Sequence, residues 1–474
     1  MSFFQRYTLE FFDHHLAQSI AFIEKCLFRR YLAHSDFAER IHGPDVPLGA
    51  MTQTKSVAFH TLGCKLNYAE TSSISRVLEA EGFVKANFDE FADIYVINTC
   101  SVTENADKEC RQLVRRIQKR APQSMVVITG CYAQLKPNEI AAIPGVALVL
   151  GASEKFNIAN HLKELSGQDH TKICSCDIGD LTDFHAAYSF GDRTRTFLKV
   201  QDGCDYHCSF CTIPFARGQS RSSSISSVLE NVQEIVRTGV KEIVLTGVNL
   251  GDFGHNSTPD GKRENLYLLL KELEKVEGLS RVRLSSVEPN LLSLDIIRLA
   301  RESQKLMPHF HIPLQSGSNR ILGLMKRRYR RELYKERVSQ IKDLIPHCAI
   351  GVDVISGFPS ETADDFQDTL EFLESLEISY LHVFTYSERE HTKAVEITPV
   401  VPVRERHYRT TILRALSDHK SQFFRLAQLG QNRKVLFESQ NRNGLIEGYS
   451  DNYIKVAAPY RDDLVNSIVD WVID

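Results

Sequence analysis

Three cysteines share one short stretch, Gly203-Cys-Asp-Tyr-His-Cys-Ser-Phe-Cys, at positions Cys204, Cys208 and Cys211. Thiolates hold iron–sulfur clusters, and three of them on a four-iron cube leave one iron without a protein ligand. An iron with an open position can bind and activate a small molecule. The same stretch admits a second chemistry, a Cys3His zinc site completed by His207. His207 adjoins Cys208, so both side chains would have to turn inward from neighbouring positions.

The loop pattern resembles the radical S-adenosylmethionine superfamily. That resemblance implies that the amino and carboxylate groups of the cofactor chelate the open iron, and that an electron splits it to a 5′-deoxyadenosyl radical.

The elements around the cysteines read as α/β. From Ser56 apolar strand-like runs alternate with helical patterns, the mark of a parallel sheet. The first runs are Ser56–Leu62, Ile94–Asn98 and Val126–Thr129, and each is followed within two residues by a cysteine: Cys64, Cys100 and Cys131. Ligands collect outside the carboxyl ends of strands in an open parallel sheet. Three cysteines at three such ends can therefore converge on one point, giving a second triad assembled by the fold. Singly, each would read as a buried free thiol.

A polar, weakly patterned linker follows, over 166–195, with Cys174 and Cys176 as bystanders. Residues 196–420 then carry six apolar strands: Phe197–Gln201, Ile243–Thr246, Val282–Ser286, His309–Leu314, Ile350–Ile355 and Leu381–Thr385. Helical stretches such as Ser226–Thr238, Leu266–Glu277 and Ala363–Leu376 separate them. Six βα units suggest a partial (β/α)6 TIM-like barrel, open on one side, with the cysteine loop after its first strand on the active face. Beyond a helix over Val403–Leu429, short strands at Lys434–Glu438, Leu445–Tyr449, Tyr453–Ala457 and Leu464–Val472 suggest a small β-barrel over 421–474, a common RNA-binding module.

Composition is that of an ordinary globular chain, with 42% hydrophobic and 25% charged residues and a net charge of −3. Such neutrality gives no global pull on nucleic acid, so RNA contacts must come from local patches. Lys326-Arg-Arg-Tyr-Arg-Arg331 offers one, as a phosphate and stacking surface. Arg111, Arg115 and Lys119, on one face of a predicted helix, offer another, or simply a solvated face whose acidic start at Glu104 and Asp107 suits the helix dipole. From Phe423 onward six basic residues stand against seven acidic ones, which favours a neutral module. Eleven cysteines without a secretory segment point to a reducing cytoplasm and metal ligation. No apolar run reaches the ~18 residues of a membrane span. Residues 1–54 read as an extension, with an amphipathic helix from Phe3 to Tyr31, or as an over-extended reading upstream of a start at Met51.

With both triads placed, the chain from Lys55 to Asp474 resembles the methylthiotransferase family. Its 55–165 region corresponds to the N-terminal methylthiotransferase domain, 196–420 to the radical domain and 421–474 to a TRAM-like barrel. Family branches modify isopentenyladenosine in tRNA, threonylcarbamoyladenosine in tRNA, or an aspartate of a ribosomal protein. Thr61-Leu-Gly-Cys-Lys-Leu-Asn, Asn98-Thr-Cys-Ser-Val-Thr-Glu-Asn-Ala-Asp, Val200-Gln-Asp-Gly-Cys and His382-Val-Phe-Thr-Tyr-Ser-Glu-Arg are most similar to the threonylcarbamoyladenosine branch. The isopentenyl branch is expected to carry Gln-Met-Asn after the first cysteine and the ribosomal branch Pro-Lys-Asn, where this chain has Lys65-Leu66-Asn67. One departure stands at Arg217-Gly-Gln-Ser-Arg221-Ser-Ser223, where the family usually ends in arginine.

The resemblance implies two 4Fe-4S clusters and S-adenosylmethionine as cofactors. Cys64, Cys100 and Cys131 would hold an auxiliary cluster carrying the sulfur, which one S-adenosylmethionine methylates. A second molecule, cleaved at the Cys204, Cys208 and Cys211 cluster, starts replacement of the adenine C2 hydrogen. Phe210, Thr246, Gly247, Gln315, Ser316 and Phe384 are the implied cofactor contacts. A tRNA anticodon loop and a reductant protein such as a flavodoxin or ferredoxin are the implied partners, and a cytoplasmic monomer the implied state. The competing readings are the ribosomal-protein branch and a non-catalytic, zinc-stabilised RNA-binding protein.

Overall fold

The computed structural model describes residues 54–101, 103–165, 170–190, 194–255 and 264–474. The helix expected over Phe3–Tyr31, and Cys26 with it, lies outside these residues.

The apolar runs after Ser56 become β1 (Ser56–Thr61), β2 (Val84–Ala86), β3 (Ile94–Thr99), β4 (Met125–Gly130), β5 (Val146–Leu150) and β6 (Lys172–Cys174). They form one parallel sheet in the order β2-β1-β3-β4-β5-β6. Every residue of β3 is buried, as a strand covered on both faces requires. Helix α1 (Lys65–Ala80) follows β1, and α2 (Glu104–Arg120) follows β3. The α2 helix starts at Thr103, whose side chain accepts from the Ala106 N–H, and buries the stripe Cys110, Leu113, Val114 and Ile117 against the sheet. The short α3 (Cys131–Leu135) begins directly at the end of β4.

The expected linker is partly structured. β6 adds an edge strand to the sheet from within it, so Cys174 ends the sheet. This three-residue strand, with its partly exposed side chains, lacks the apolar alternation by which an edge strand is recognised.

After β7 (Ala187–Tyr188), the barrel strands are β8 (Arg195–Lys199), β11 (Glu242–Thr246), β12 (Arg281–Leu284), β13 (His309–His311), β14 (Ala349–Ser356) and β15 (Tyr380–Thr385). The short β9 (Gln201–Asp202) and β10 (Arg221–Ser222) form an antiparallel pair between the first two. β8, β11 and β12 pair in parallel, as do β13, β14 and β15. Parallel bridges Val282–Leu306 and Ser286–His311 join the two halves. The six strands form an open arc, with β7 antiparallel on the outer edge of β8. The helices Ile225–Arg237, Leu266–Glu274 and Ala363–Ser375 stand within three residues of their expected bounds. A single core, from Leu198 and Val228 to Leu381 and Leu413, fills the space between strands and helices.

A helix over Val403–Leu426 leads to β16 (Asn432–Arg442), β17 (Leu445–Ser450), β18 (Lys455–Pro459) and β19 (Ile468–Val472). The small C-terminal β domain is one antiparallel sheet of order β18-β17-β16-β19 over its own core of Val435, Phe437, Ile446 and Val456. Barrel arginines hold it: Arg281 donates to the Tyr449 and Lys434 carbonyls, and Arg283 to those of Ser450 and Asp451. Glu242, fully buried, pairs with Arg283.

Candidate active site

The sheet order places β1, β3 and β4 side by side, so the residues that follow them are neighbours. Cys64 caps the start of α1, Cys100 directly follows β3 and Cys131 opens α3. Gly63 makes the approach possible. Its φ is +97°, and a Cβ there would stand 2.5 Å from the Cys100 Cβ and 2.9 Å from its Sγ. Asn67, one turn into α1, donates to the Leu62 and Thr99 carbonyls at 2.9 Å and so binds two of the three strand ends together.

The second triad sits on the loop after β9. Gly203 at φ +69° starts it, and a Cβ at this position would fall 1.9 Å from the Gln219 carbonyl oxygen. Each sulfur has an N–H donor. The Tyr206 amide reaches Cys204 Sγ at 3.4 Å, the Ile213 amide reaches Cys211 Sγ at 3.5 Å, and Arg327 Nη1 reaches Cys208 Sγ at 3.0 Å. Burial pushes the Cys204 and Cys211 thiols up to about 12. Donors aimed at sulfur are what anionic thiolates on a cluster need.

The zinc reading needs His207 as its fourth ligand. His207 is exposed. Both donor sets, all sulfur and three-fold, fit a cube with one open corner.

A buried ionic network joins the two triads. Glu70, at 0% exposure, accepts from Lys155 Nζ at 2.7 Å, Lys199 Nζ at 2.9 Å and Arg217 Nη1 at 3.1 Å. Asp202, beside the second triad, accepts from Lys199 at 3.1 Å and Arg217 at 2.9 Å. Arg217 also donates to Asn67 Oδ1 at 2.6 Å and bonds Cys131. The charge count leans positive, which suits anionic clusters on both sides.

A cavity of about 240 Å³ opens beside Cys211, lined by Phe210, Gln315, Asp353, Phe384 and Tyr386 among others. Phe210, Gln315 and Phe384, three of the six expected cofactor contacts, share this lining, with Phe384 43% exposed. Gln315 has φ 70°. Ser316 is turned away, its Oγ 3.2 Å from Thr369 Oγ1. Thr246 and Gly247 lie at the end of β11 outside this lining; the Thr246 hydroxyl is buried without a partner among the described residues, and Gly247 packs on Gln201.

The basic run 326–331 is divided: Lys326, Arg328 and Arg330 are exposed, while Arg327 and Tyr329 turn inward. Arg327 pairs with buried Glu288 as well as Cys208, and Tyr329 is buried with its hydroxyl on the Pro313 and Leu314 carbonyls. Arg328 stacks on Tyr206, 3.9 Å from the ring centroid, and donates to the Asp205 carbonyl. These side chains clamp the cysteine loop. A sequence pattern cannot tell a cation that faces water from one that faces a thiolate. In α2, Arg111 is likewise taken up by Tyr132 and Glu139, while Arg115, Arg116 and Lys119 are exposed.

Three lumen groups carried no expectation. His311, Asp353 and His382 lie on the adjacent strands β13, β14 and β15, with Asp353 Oδ1 2.8 Å from His311 Nε2 and 3.3 Å from His382 Nδ1. Burial alone would raise the Asp353 carboxyl, but the two histidine hydrogen bonds hold it well below the usual range.

Two family models match the chain: the uncharacterized protein family UPF0004 over residues 56–151 and the radical SAM superfamily over residues 198–373. Among curated proteins, the chain is 38% identical to the threonylcarbamoyladenosine tRNA methylthiotransferase MtaB of Bacillus subtilis, over 87% of this chain and 92% of that one. It is 41% identical to MtaB of Aquifex aeolicus, over 83% and 95%. A tRNA-2-methylthio-N(6)-dimethylallyladenosine synthase from Roseobacter denitrificans is 33% identical over 85% and 92%.

Proposed function

The chain belongs to the MtaB family of threonylcarbamoyladenosine tRNA methylthiotransferases, and from that premise we propose that it replaces the C2 hydrogen of N6-threonylcarbamoyladenosine in tRNA with a methylthio group. The observation that carries the reading is the pair of cysteine triads joined through the Arg217 network, on a chain that matches both family models.

When bound, two 4Fe-4S clusters and S-adenosylmethionine supply the sulfur, the methyl group and the radical that a C–H bond without an acidic proton demands. The protein's own part is placement. Cys64, Cys100 and Cys131 hold one cluster at the strand ends, and Cys204, Cys208 and Cys211 hold the other. Asn67, Glu70 and Arg217 set the spacing between them, because a change at either triad must be transmitted through one buried network. The cavity beside Cys211 takes the cofactor, with Phe210, Gln315 and Phe384 on its walls. Thr246 and Gly247 belong to the barrel top nearby, where the unpartnered Thr246 hydroxyl is available to a ligand.

The reading brings with it a low-potential reductant of the flavodoxin or ferredoxin class, contact between the C-terminal sheet and the anticodon stem, and work as a cytoplasmic monomer. No helix among the described residues is long and apolar enough to cross a membrane.

The test is reaction of anaerobically reconstituted protein with an anticodon stem-loop bearing threonylcarbamoyladenosine. Wild type should form the methylthio product, Cys64→Ala should cleave S-adenosylmethionine without forming it, and Cys204→Ala should do neither. Full product from Cys64→Ala would overturn the assignment.

A further inference from the structure

Lys65 follows Cys64 directly, so it borders whatever the first triad holds. Its neighbours in charge, Lys155 and Lys199, both end on Glu70. Lys65 does not. Its ammonium makes no hydrogen bond or ion pair among the described residues and lies 6.0 Å from the centroid of Phe197, on the barrel strand β8. The residue is exposed to solvent yet lies within electrostatic reach of Arg195 on β8, Arg283 on β12, Asp353 on β14 and Tyr453 of the C-terminal domain. The side chain therefore crosses from the first triad into the barrel lumen and ends there without an ion pair among the described residues.

Each nearby acid is engaged elsewhere. Asp353 is held by His311 and His382, and Glu242 by Arg283. An incoming carboxylate would complete the pair. The named relatives differ at one place in their substrates: threonylcarbamoyladenosine carries a free carboxylate on its N6 substituent, and dimethylallyladenosine carries only hydrocarbon. C–S bond formation must bring the adenine close to the first triad, and its N6 substituent then extends into the lumen.

We infer that Lys65 is a specificity-determining residue that binds the threonyl carboxylate of the substrate base; this rests on the substrate reading above. The interaction is a charge-assisted hydrogen bond in a partly desolvated chamber, enough to separate acid from neutral analogue by about tenfold or more.

The test is equilibrium binding and product formation, by the reconstituted protein, with stem-loops bearing threonylcarbamoyladenosine, its threonyl methyl ester, or plain adenosine. Wild type should bind the acid about tenfold tighter than the ester. Lys65→Met should lose that difference while binding the ester as wild type does, and Lys65→Arg should keep most of it. Iron per chain shows whether Lys65→Met still loads its clusters; if it does not, wild type and Lys65→Arg decide on acid against ester alone. Equal binding of acid and ester by wild type, or an undiminished difference in a loaded Lys65→Met, overturns the inference. Discrimination without turnover would sink the reaction assignment and leave the carboxylate site standing; turnover without discrimination would do the reverse.

Discussion

Arg217 Nη2 donates to Asn67 Oδ1 at 2.6 Å, and this bond ties the short helix that leaves the second cysteine loop to the helix that leaves the first cysteine. Asn67 spans the ends of β1 and β3. Arg217 spans Asp202 and Glu70. The two cysteine triads, far apart in sequence, thereby share one buried joint.

Arg217→Met should uncouple the two sites. With the guanidinium gone, Glu70 and Asp202 keep their burial but lose a partner, a change that costs about 3–5 kcal/mol. Thermal unfolding should come several degrees lower. S-adenosylmethionine cleavage should persist while methylthio product falls, so that their ratio rises; a ratio equal to wild type would count against the joint.

Arg327 aims a cation and an N–H at Cys208 Sγ. Both favour the more negative, reduced form of a cluster on that thiolate. The double variant Arg327→Met with Glu288→Gln removes the pair without leaving a bare buried carboxylate. A cluster on the Cys204, Cys208 and Cys211 triad should titrate about 50 mV more negative, the equivalent of one modest hydrogen bond for a one-electron couple. Electron paramagnetic resonance under potentiometric control reads this directly.

Gly63→Ala should empty the first triad alone. The new Cβ would meet the Cys100 Cβ at 2.5 Å, at a φ of +97° that L side chains resist. Iron and acid-labile sulfide per chain should fall by about half, with cofactor cleavage retained. Undiminished iron would show that the first triad tolerates the methyl.

Glu70 gives a pH dependence with a definite sign. Burial alone would raise its carboxyl, but Arg217, Lys155 and Lys199 together hold it well below the ordinary range. Its folded value is depressed, so its contribution is present above the unfolded value of about 4.3 and lost as pH falls toward the folded one. Wild-type melting temperature should therefore drop as pH is lowered below about 4.5. Glu70→Gln should start lower and show a flatter curve over the same range, which circular dichroism can follow.

Strands and loop cysteines were readable because their signals are local. The six barrel strands, the three sheet strands that precede Cys64, Cys100 and Cys131, and the loop triad all follow from apolar runs and spacing. β6 was not readable, being three residues of partly exposed edge. The network was not either: Glu70, Lys155, Lys199, Asp202 and Arg217 come from five elements, and nothing in their separate surroundings marks them as partners. Within the basic run at 326–331 the inward turn of Arg327 was hidden for the same reason, since its charge is visible in sequence while the sulfur and carboxylate that it meets are supplied by distant segments. Asp353 and its two histidines share a lumen only because three parallel strands align them.

The most direct test of the central claim is mass spectrometry of nucleosides from total tRNA of cells lacking this gene, rescued by the wild-type chain or by Cys204→Ala. The account predicts that methylthio-threonylcarbamoyladenosine disappears on deletion, returns with wild type and stays absent with Cys204→Ala, while methylthio-dimethylallyladenosine is unchanged. Unchanged methylthio-threonylcarbamoyladenosine in the deletion strain would contradict it.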